Sequence, residues 1–251
     1  MSQNPVILVT GGARRVGAAI VRSLHAAGAD VVVHFLASAT AAEQLTAELN
    51  ALRPNSASAF NADLTDAGAA GQLVHQVIAR CGRLDGLVNN ASSFYATPVG
   101  SIDEAAWHDL IGSNLKGPLF LAQAAAPHLA ASPWPGGGTI INITDVHAER
   151  PLKGYPLYCA AKAGLLGLTR ALAIELGPQV RVNAVAPGAI EWPENTADFP
   201  PSTRSAILEH TLLGRIGAPS DIARTVKFLV FDAPYITGQV INVDGGRTAR
   251  L

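Results

Sequence analysis

Tyr158 and Lys162 stand four residues apart, and Asp145 lies thirteen residues before the tyrosine. Residues at that spacing share one face of a helix. Lys162 is therefore expected one turn from the phenol, where its charge favours the phenolate and draws the pKa below the ordinary value near 10. A phenol tuned in this way is a usable acid at neutral pH. Tyr-x-x-x-Lys also arises by chance, because both residues are common in helices, so its meaning rests on its surroundings. Asp145 has two readings at this level: a carboxyl that gathers and passes protons, or a turn cap following a strand.

The second feature is Thr10 to Gly17, Thr-Gly-Gly-Ala-Arg-Arg-Val-Gly, which follows the apolar run Val6–Val9 and leads into Val16, Ile20 and Leu24 at helical spacing. Strand, glycine turn and helix N-terminus together form an anion site, since free backbone amides converge there and the helix dipole favours negative charge. A pyrophosphate suits it; the plainer alternative is a tight turn joining strand to helix.

Composition narrows the class. With 251 residues, 49% of them apolar, the chain can bury one substantial core, so a single domain over 1–251 is expected. A formal net charge of −1 and the lack of basic blocks argue against nucleic acid or an anionic membrane as partner and for a small molecule. No leader pattern and no apolar run of spanning length are evident, which makes the cytoplasm the expected location. Cys81 and Cys159 have no metal-ligand spacing and read as small buried hydrophobes. The seven histidines form no metal-binding motif, so no catalytic metal is expected; His147 is read as a loop or pocket-rim residue.

The elements that must position these groups are short β-branched runs alternating with longer helical patterns, the signature of a parallel sheet covered on both faces. Strands are expected at Val6–Val9, Val31–Phe35, Ala57–Asn61, Leu84–Asn89, Thr139–Ile143, Val180–Ala184 and Val240–Val243. Right-handed crossovers then give a doubly wound α/β fold. Thr10, Asp63, Asn89, Thr144 and Pro187 fall at carboxyl ends of strands, where such sheets bind ligands.

With Asn89-Asn90-Ala91, Asn114 and Pro187-Gly188 added in order, the chain resembles the short-chain dehydrogenase/reductase family over essentially its whole length. Within that family it looks most like the pteridine reductases. Arg15 stands where the family usually has its middle turn glycine, Asn89 to Tyr95 reads Asn-Asn-Ala-Ser-Ser-Phe-Tyr, and Asp145 replaces the usual serine; Asn50 to Ser56 is also reminiscent of that group. The resemblance implies a Rossmann-type sheet of seven strands ordered 3-2-1-4-5-6-7, and a homotetramer.

The resemblance also implies a cofactor surface. Gly11, Arg14, Arg15, Val16 and Gly17 form its turn, His34, Phe35 and Ser38 follow the second strand, and Asp63 and Leu64 meet the adenine. Asn90, Ala91, Ser92 and Thr144 lie along the ribose side, Tyr158 and Lys162 meet the nicotinamide ribose, and Pro187, Gly188 and Ala189 border the nicotinamide. Asn89 and Asn90 also read as ordinary turn residues. Asn114, a poor helix former in a helical pattern, has the family role of bending its helix and holding a relay water.

Charge argues the cofactor type. An NAD site usually carries an acid after the second strand, but His34-Phe35-Leu36-Ala37-Ser38 has none. Arg14 with the Ser38 hydroxyl instead suits a 2′-phosphate, which favours NADPH/NADP; the alternative for Arg14 is an exposed turn residue. Some pteridine reductases have His-Arg at Leu36-Ala37, and this chain lacks that pair.

For substrate, Arg15, Ser92, Phe94, Asp145, Tyr158, Ile190 and Trp192 are expected to line a pterin pocket, with a substrate loop around 188–213. Phe94 is placed to stack on a flat heteroaromatic ring, or else packs in the core. A carboxylate at Asp145 would repel a developing oxyanion and would raise, not lower, the phenol's pKa, so reduction of a pterin C=N bond fits better than reduction of a ketone or acyl-thioester carbonyl. A cofactor-binding regulator without catalysis is disfavoured by the retained Asp145, Tyr158 and Lys162. At the C-terminus, Arg250 is read either as reaching a neighbour's active site or as part of a solvated end.

Overall fold

Val6 and Leu8 pack among Leu73, Val77 and Leu121, whereas Ile7 and Val9, between and after them, pack among Ile20, Leu24 and Val226. That alternation, with both faces apolar, is what a fully covered strand requires. The computed structural model describes residues 4–192 and 199–249. Its strands are β1 (Val6–Val9), β2 (Asp30–Phe35), β3 (Ala57–Asn61), β4 (Gly86–Asn89), β5 (Gly138–Ile143), β6 (Val180–Pro187) and β7 (Val240–Val243). They form one all-parallel sheet in the order β3-β2-β1-β4-β5-β6-β7, as expected.

The helices are α1 (Arg15–Ala26), α2 (Ala39–Leu52), α3 (Ala67–Cys81), α4 (Glu104–Ile111), α5 (Gly117–Ala130), α6 (Pro156–Leu176), α7 (Pro201–Glu209) and α8 (Pro219–Phe231). Side chains of α1, α2 and α8 join the apolar cluster on one face, and those of α3, α5 and the end of α6 join the other. Ile20 and Leu24 of α1 are wholly inaccessible, and burial of this kind contributes roughly 1.5–3 kcal/mol per large apolar side chain.

Two strands differ usefully from the expectation. β4 starts at Gly86 rather than Leu84 because Asp85 uses its side chain on the sheet: Val6 N donates to Asp85 Oδ2 at 2.8 Å, and Arg83 pairs with the same carboxylate. β6 runs three residues past Ala184, to Pro187, because β7 pairs with it as far as Pro187 opposite Val243. This extension delivers Gly188 to the crevice beyond the strand ends.

Contrary to the expectation of no spanning run, α6 is long and apolar enough to cross a bilayer by length and composition. Its apolarity has a local cause: Leu157, Ala161, Leu165 and Leu166 are buried within the fold, and the same helix carries Tyr158 and Lys162.

Candidate active site

The glycine turn between β1 and α1 is held from three sides. Asn90 Nδ2 donates to the Thr10 and Gly11 carbonyls at 2.9 and 3.1 Å, Thr10 Oγ1 accepts the amides of Asn90 and Ala91, and Gly11 N donates to His34 Nδ1 at 3.1 Å. His34 in turn donates Nε2–H to the Ala62 carbonyl at 3.0 Å; burial pushes its pKa below the ordinary value. Gly17 packs so tightly on the turn that a Cβ there would lie 2.1 Å from the Gly11 carbonyl oxygen. The first turn of α1 carries no acid, leaving its positive end for an anion.

From this turn a cavity of about 220 Å³ runs past His34, Phe35 and Ser38 to Asp63 and Leu64, with Gly11, Arg14, Ala91 and Ser92 also lining it. Asp63 is set by accepting from Thr65 N and Thr65 Oγ1, contacts that hold its carboxyl below the usual range. The close glycine turn and the long adjoining cleft fit a dinucleotide. Six expected cofactor residues, Val16, Gly17, Asn90, Thr144, Lys162 and Pro187, line neither this cavity nor the next. Val16 packs against the core, Asn90 braces the turn, and the Thr144 hydroxyl donates to the Val185 carbonyl at 3.1 Å. Pro187 closes the β6–β7 ladder.

A second cavity, about 420 Å³, brings together Arg15, Phe94, Asp145, Tyr158, Gly188, Ala189, Ile190 and Trp192. Tyr158 Oη donates to Asp145 Oδ2 at 2.8 Å, while Asp145 Oδ1 accepts from His147 N at 2.8 Å. The cap reading of Asp145 holds, with one oxygen capping the turn Val146–Ala148, while the other oxygen accepts from the phenol.

The expected lowering of the Tyr158 pKa is overturned. Burial pushes it well above 10, and the Asp145 charge and hydrogen bond push it the same way. Lys162 Nζ lies 5.7 Å from the phenol ring centroid and donates to the Ile143 carbonyl at 2.9 Å. Burial lowers the Lys162 pKa to about 8, with Asp145 opposing.

Phe94 is 38% exposed and lines the larger cavity. It stacks on Tyr155 (centroids 4.8 Å apart, planes at 10°) and meets Tyr158 edge-on, also at 4.8 Å. Tyr155 thus takes one face of Phe94 and fixes the ring beside the phenol. Asn114 lies in a π-helical turn, Gly112–Lys116, between α4 and α5. It is fully buried, donates to the Ser93 and Leu110 carbonyls at 3.0 Å, and accepts from Ser92 Oγ at 2.6 Å. Ser92, expected on both the cofactor and substrate sides, lines only the smaller cavity. Cys159 turns away from the cavity and accepts from Leu152 N, and His147 stands on the rim as expected.

Arg15 has φ +50°, which explains why glycine suits its position. It pairs with Glu191 (3.6 Å), itself at φ +53°, and donates to the Trp192 carbonyl at 3.3 Å. The expected substrate loop supplies much of the larger cavity, with Phe199, Ala206, Ile207 and His210 added to Ile190 and Trp192; residues 193–198 lie outside the described residues, as does Arg250. The sequence reading did not single out Tyr155, Glu191, Phe199, His210 or Arg247 as pocket residues, although Glu191, Phe199 and His210 lie in the expected loop around 188–213. Only the Tyr155–Tyr158 spacing offered a signal, because the others arrive through loops whose course no periodicity records. Among the described residues, no cluster of potential metal ligands occurs.

A family model described as "Enoyl-(Acyl carrier protein) reductase" matches residues 11–248. Pteridine reductase 1 of Leishmania tarentolae is 39% identical, with 96% of each chain covered. A 3-oxoacyl-[acyl-carrier-protein] reductase of Synechocystis sp. is also 39% identical, again over 96% of each chain. A 3-oxoacyl-[acyl-carrier-protein] reductase of Thermotoga maritima is 34% identical over 97% of this chain and 98% of its own. With the sheet order and the Tyr158–Lys162 pair, these full-length matches establish that the chain belongs to the short-chain dehydrogenase/reductase family of NAD(P)(H)-dependent oxidoreductases.

Proposed function

We propose that the chain is an NADPH-dependent pteridine reductase, acting on a dihydropterin or an oxidised pterin. The observation that carries this reading is the Tyr158–Asp145 hydrogen bond. A hydroxyl in place of Asp145 would steady a ketone oxygen, whereas a carboxylate opposes an oxyanion and suits a substrate whose ring nitrogen must gain a proton. Phe94 offers a flat surface beside the phenol for a heteroaromatic ring.

Gly11, Arg14, Ser38, Asp63 and Ala91 would hold NADPH, with Arg14 and Ser38 on the 2′-phosphate, and the cofactor when bound supplies the hydride. Burial keeps the Tyr158 hydroxyl protonated, so it serves as the immediate donor to the substrate nitrogen. Asp145 accepts from that hydroxyl and passes protons from the cavity to restore it. Lys162 steadies the phenolate left after each transfer and orients the ribose. Asn114, braced by Ser92 and Ser93, keeps the helix bent behind the site and holds the relay water. Phe94 and the 420 Å³ cavity orient the ring, and much of the rate comes from that alignment. The exposed Trp107 on α4 and Ile174 on α6 support assembly of copies into a homotetramer.

The rival reading, reduction of a 3-oxoacyl thioester, is favoured by the equal identity to the Synechocystis reductase. Steady-state turnover of dihydrobiopterin, dihydrofolate and acetoacetyl-CoA, each with NADPH and with NADH, separates the two. Pterin turnover with preference for NADPH supports the proposal. Turnover of the thioester alone overturns it.

A further inference from the structure

Beside the 420 Å³ cavity lies a third cavity of about 260 Å³, and the two share His147, Leu152, His210 and Arg247 as walls. The outer space also meets Arg150 and contains no carboxylate residue in its lining, although Asp145 and Glu191 line the inner one. The cations are held in place. Arg150 Nη2 donates to the Thr248 carbonyl at 3.2 Å, which ties it to the turn bearing Arg247. That turn is fixed by Asp244, whose Oδ1 accepts from Gly246 N and whose Oδ2 accepts from Thr248 N and Thr248 Oγ1. Asp244 is thereby used within the turn, and the half-buried Arg247 guanidinium has no hydrogen bond or ion pair among the described residues. His147 and His210 direct Nδ1 to the Arg150 and Ala206 carbonyls, leaving each Nε2 for other partners.

A half-buried guanidinium without a partner, at the junction of an apolar pocket and an acid-free vestibule, is placed to receive an anion. We propose that this vestibule binds the anionic tail of the substrate while its reacting end occupies the inner cavity, with Arg247 the principal contact and Arg150 secondary. The inference rests on the inner cavity being the substrate pocket, as in the proposed function, and does not require that the substrate be a pterin. Two tails share this chemistry: the carboxylates of a folate-type pterin and the phosphates of a phosphopantetheine thioester.

The test pairs each anionic substrate with an uncharged counterpart bearing the same reacting group: dihydrofolate with dihydrobiopterin, and acetoacetyl-CoA with ethyl acetoacetate. Arg247→Ala is expected to raise the KM of the anionic member relative to its counterpart by about 10-fold, the loss of one charge-assisted contact, with kcat changed little. Arg247→Lys should recover most of that ratio. An effect on dihydrofolate assigns the vestibule to carboxylates, and an effect on acetoacetyl-CoA assigns it to phosphates. Pterins that are not turned over by the wild type sink the pterin reading and leave the thioester pair to judge the vestibule. A KM ratio unchanged in every pair that is turned over overturns the vestibule itself, with cofactor affinity confirming that the variant is folded.

Discussion

Asp145 divides its two oxygens between the backbone amide of His147 and the hydroxyl of Tyr158, so its position is set before any ligand arrives. Replacing it with serine removes the carboxyl yet leaves the glycine turn untouched. Asp145→Ser is expected to lower pterin turnover by about 100-fold, the range of general acid–base contributions, with NADPH affinity by fluorescence titration within about twofold. Turnover retained within a few-fold would remove the carboxyl from the mechanism. A second expectation concerns Lys162. Its lowered pKa, about 8, makes it charged below that pH and neutral above, while Tyr158 stays protonated throughout because burial moves it the other way. The rate should therefore fall on the alkaline side with a midpoint near 8, as the cation that steadies the phenolate is lost. A pH–rate profile whose alkaline limb first appears above pH 10 would assign that limb to Tyr158 instead.

At the level of elements, the β1–α1 junction depends on the contact of Gly17 with the Gly11 carbonyl. Both atoms that would collide are fixed by backbone, so Gly17→Ala must move the start of α1 rather than a flexible side chain. The expected outcome is a lower melting temperature together with at least 10-fold weaker cofactor binding, since a displacement of this kind disturbs packing worth 1–3 kcal/mol. Normal values for both would show that the turn can relax. The parallel sheet was legible because its strands are short, apolar on both faces and punctuated by helical patterns; the seven strand positions needed only end corrections. Those corrections came from tertiary partners, namely Asp85 bonding Val6 and β7 extending β6, which no local pattern records. The Tyr158–Lys162 pair was legible for a similar reason, since both residues lie in one helix. The phenol's net acidity was misread because burial, its largest cause, leaves no local pattern, whereas the opposing effect of the Asp145 carboxylate was legible. Phe199, His210 and Arg247 enter the larger cavity from separate segments, and their meeting is a property of the folded chain alone.

Over the whole molecule, the 220 Å³ cleft and the 420 Å³ cavity share two segments, Gly11–Arg15 and Ala91–Phe94, and the Arg15–Glu191 pair ties the first of these to the far wall of the larger cavity. Arg15 opens α1 on the cofactor side, while Glu191 and Trp192 begin the segment that lines the substrate side. A ligand that draws Arg15 toward a phosphate changes what holds Glu191, and a ligand that moves Glu191 changes what holds Arg15. Thermodynamic linkage then requires each ligand to alter the other's affinity by the same factor. The expected consequence is coupling between the two cavities: if NADPH binds beside Arg15 as proposed, its affinity and that of the second ligand change by one common factor, read by titrating each ligand with and without the other. In Glu191→Gln, where the charge pair is gone, that coupling should vanish, and cofactor affinity should become indifferent to whether the second ligand is bound.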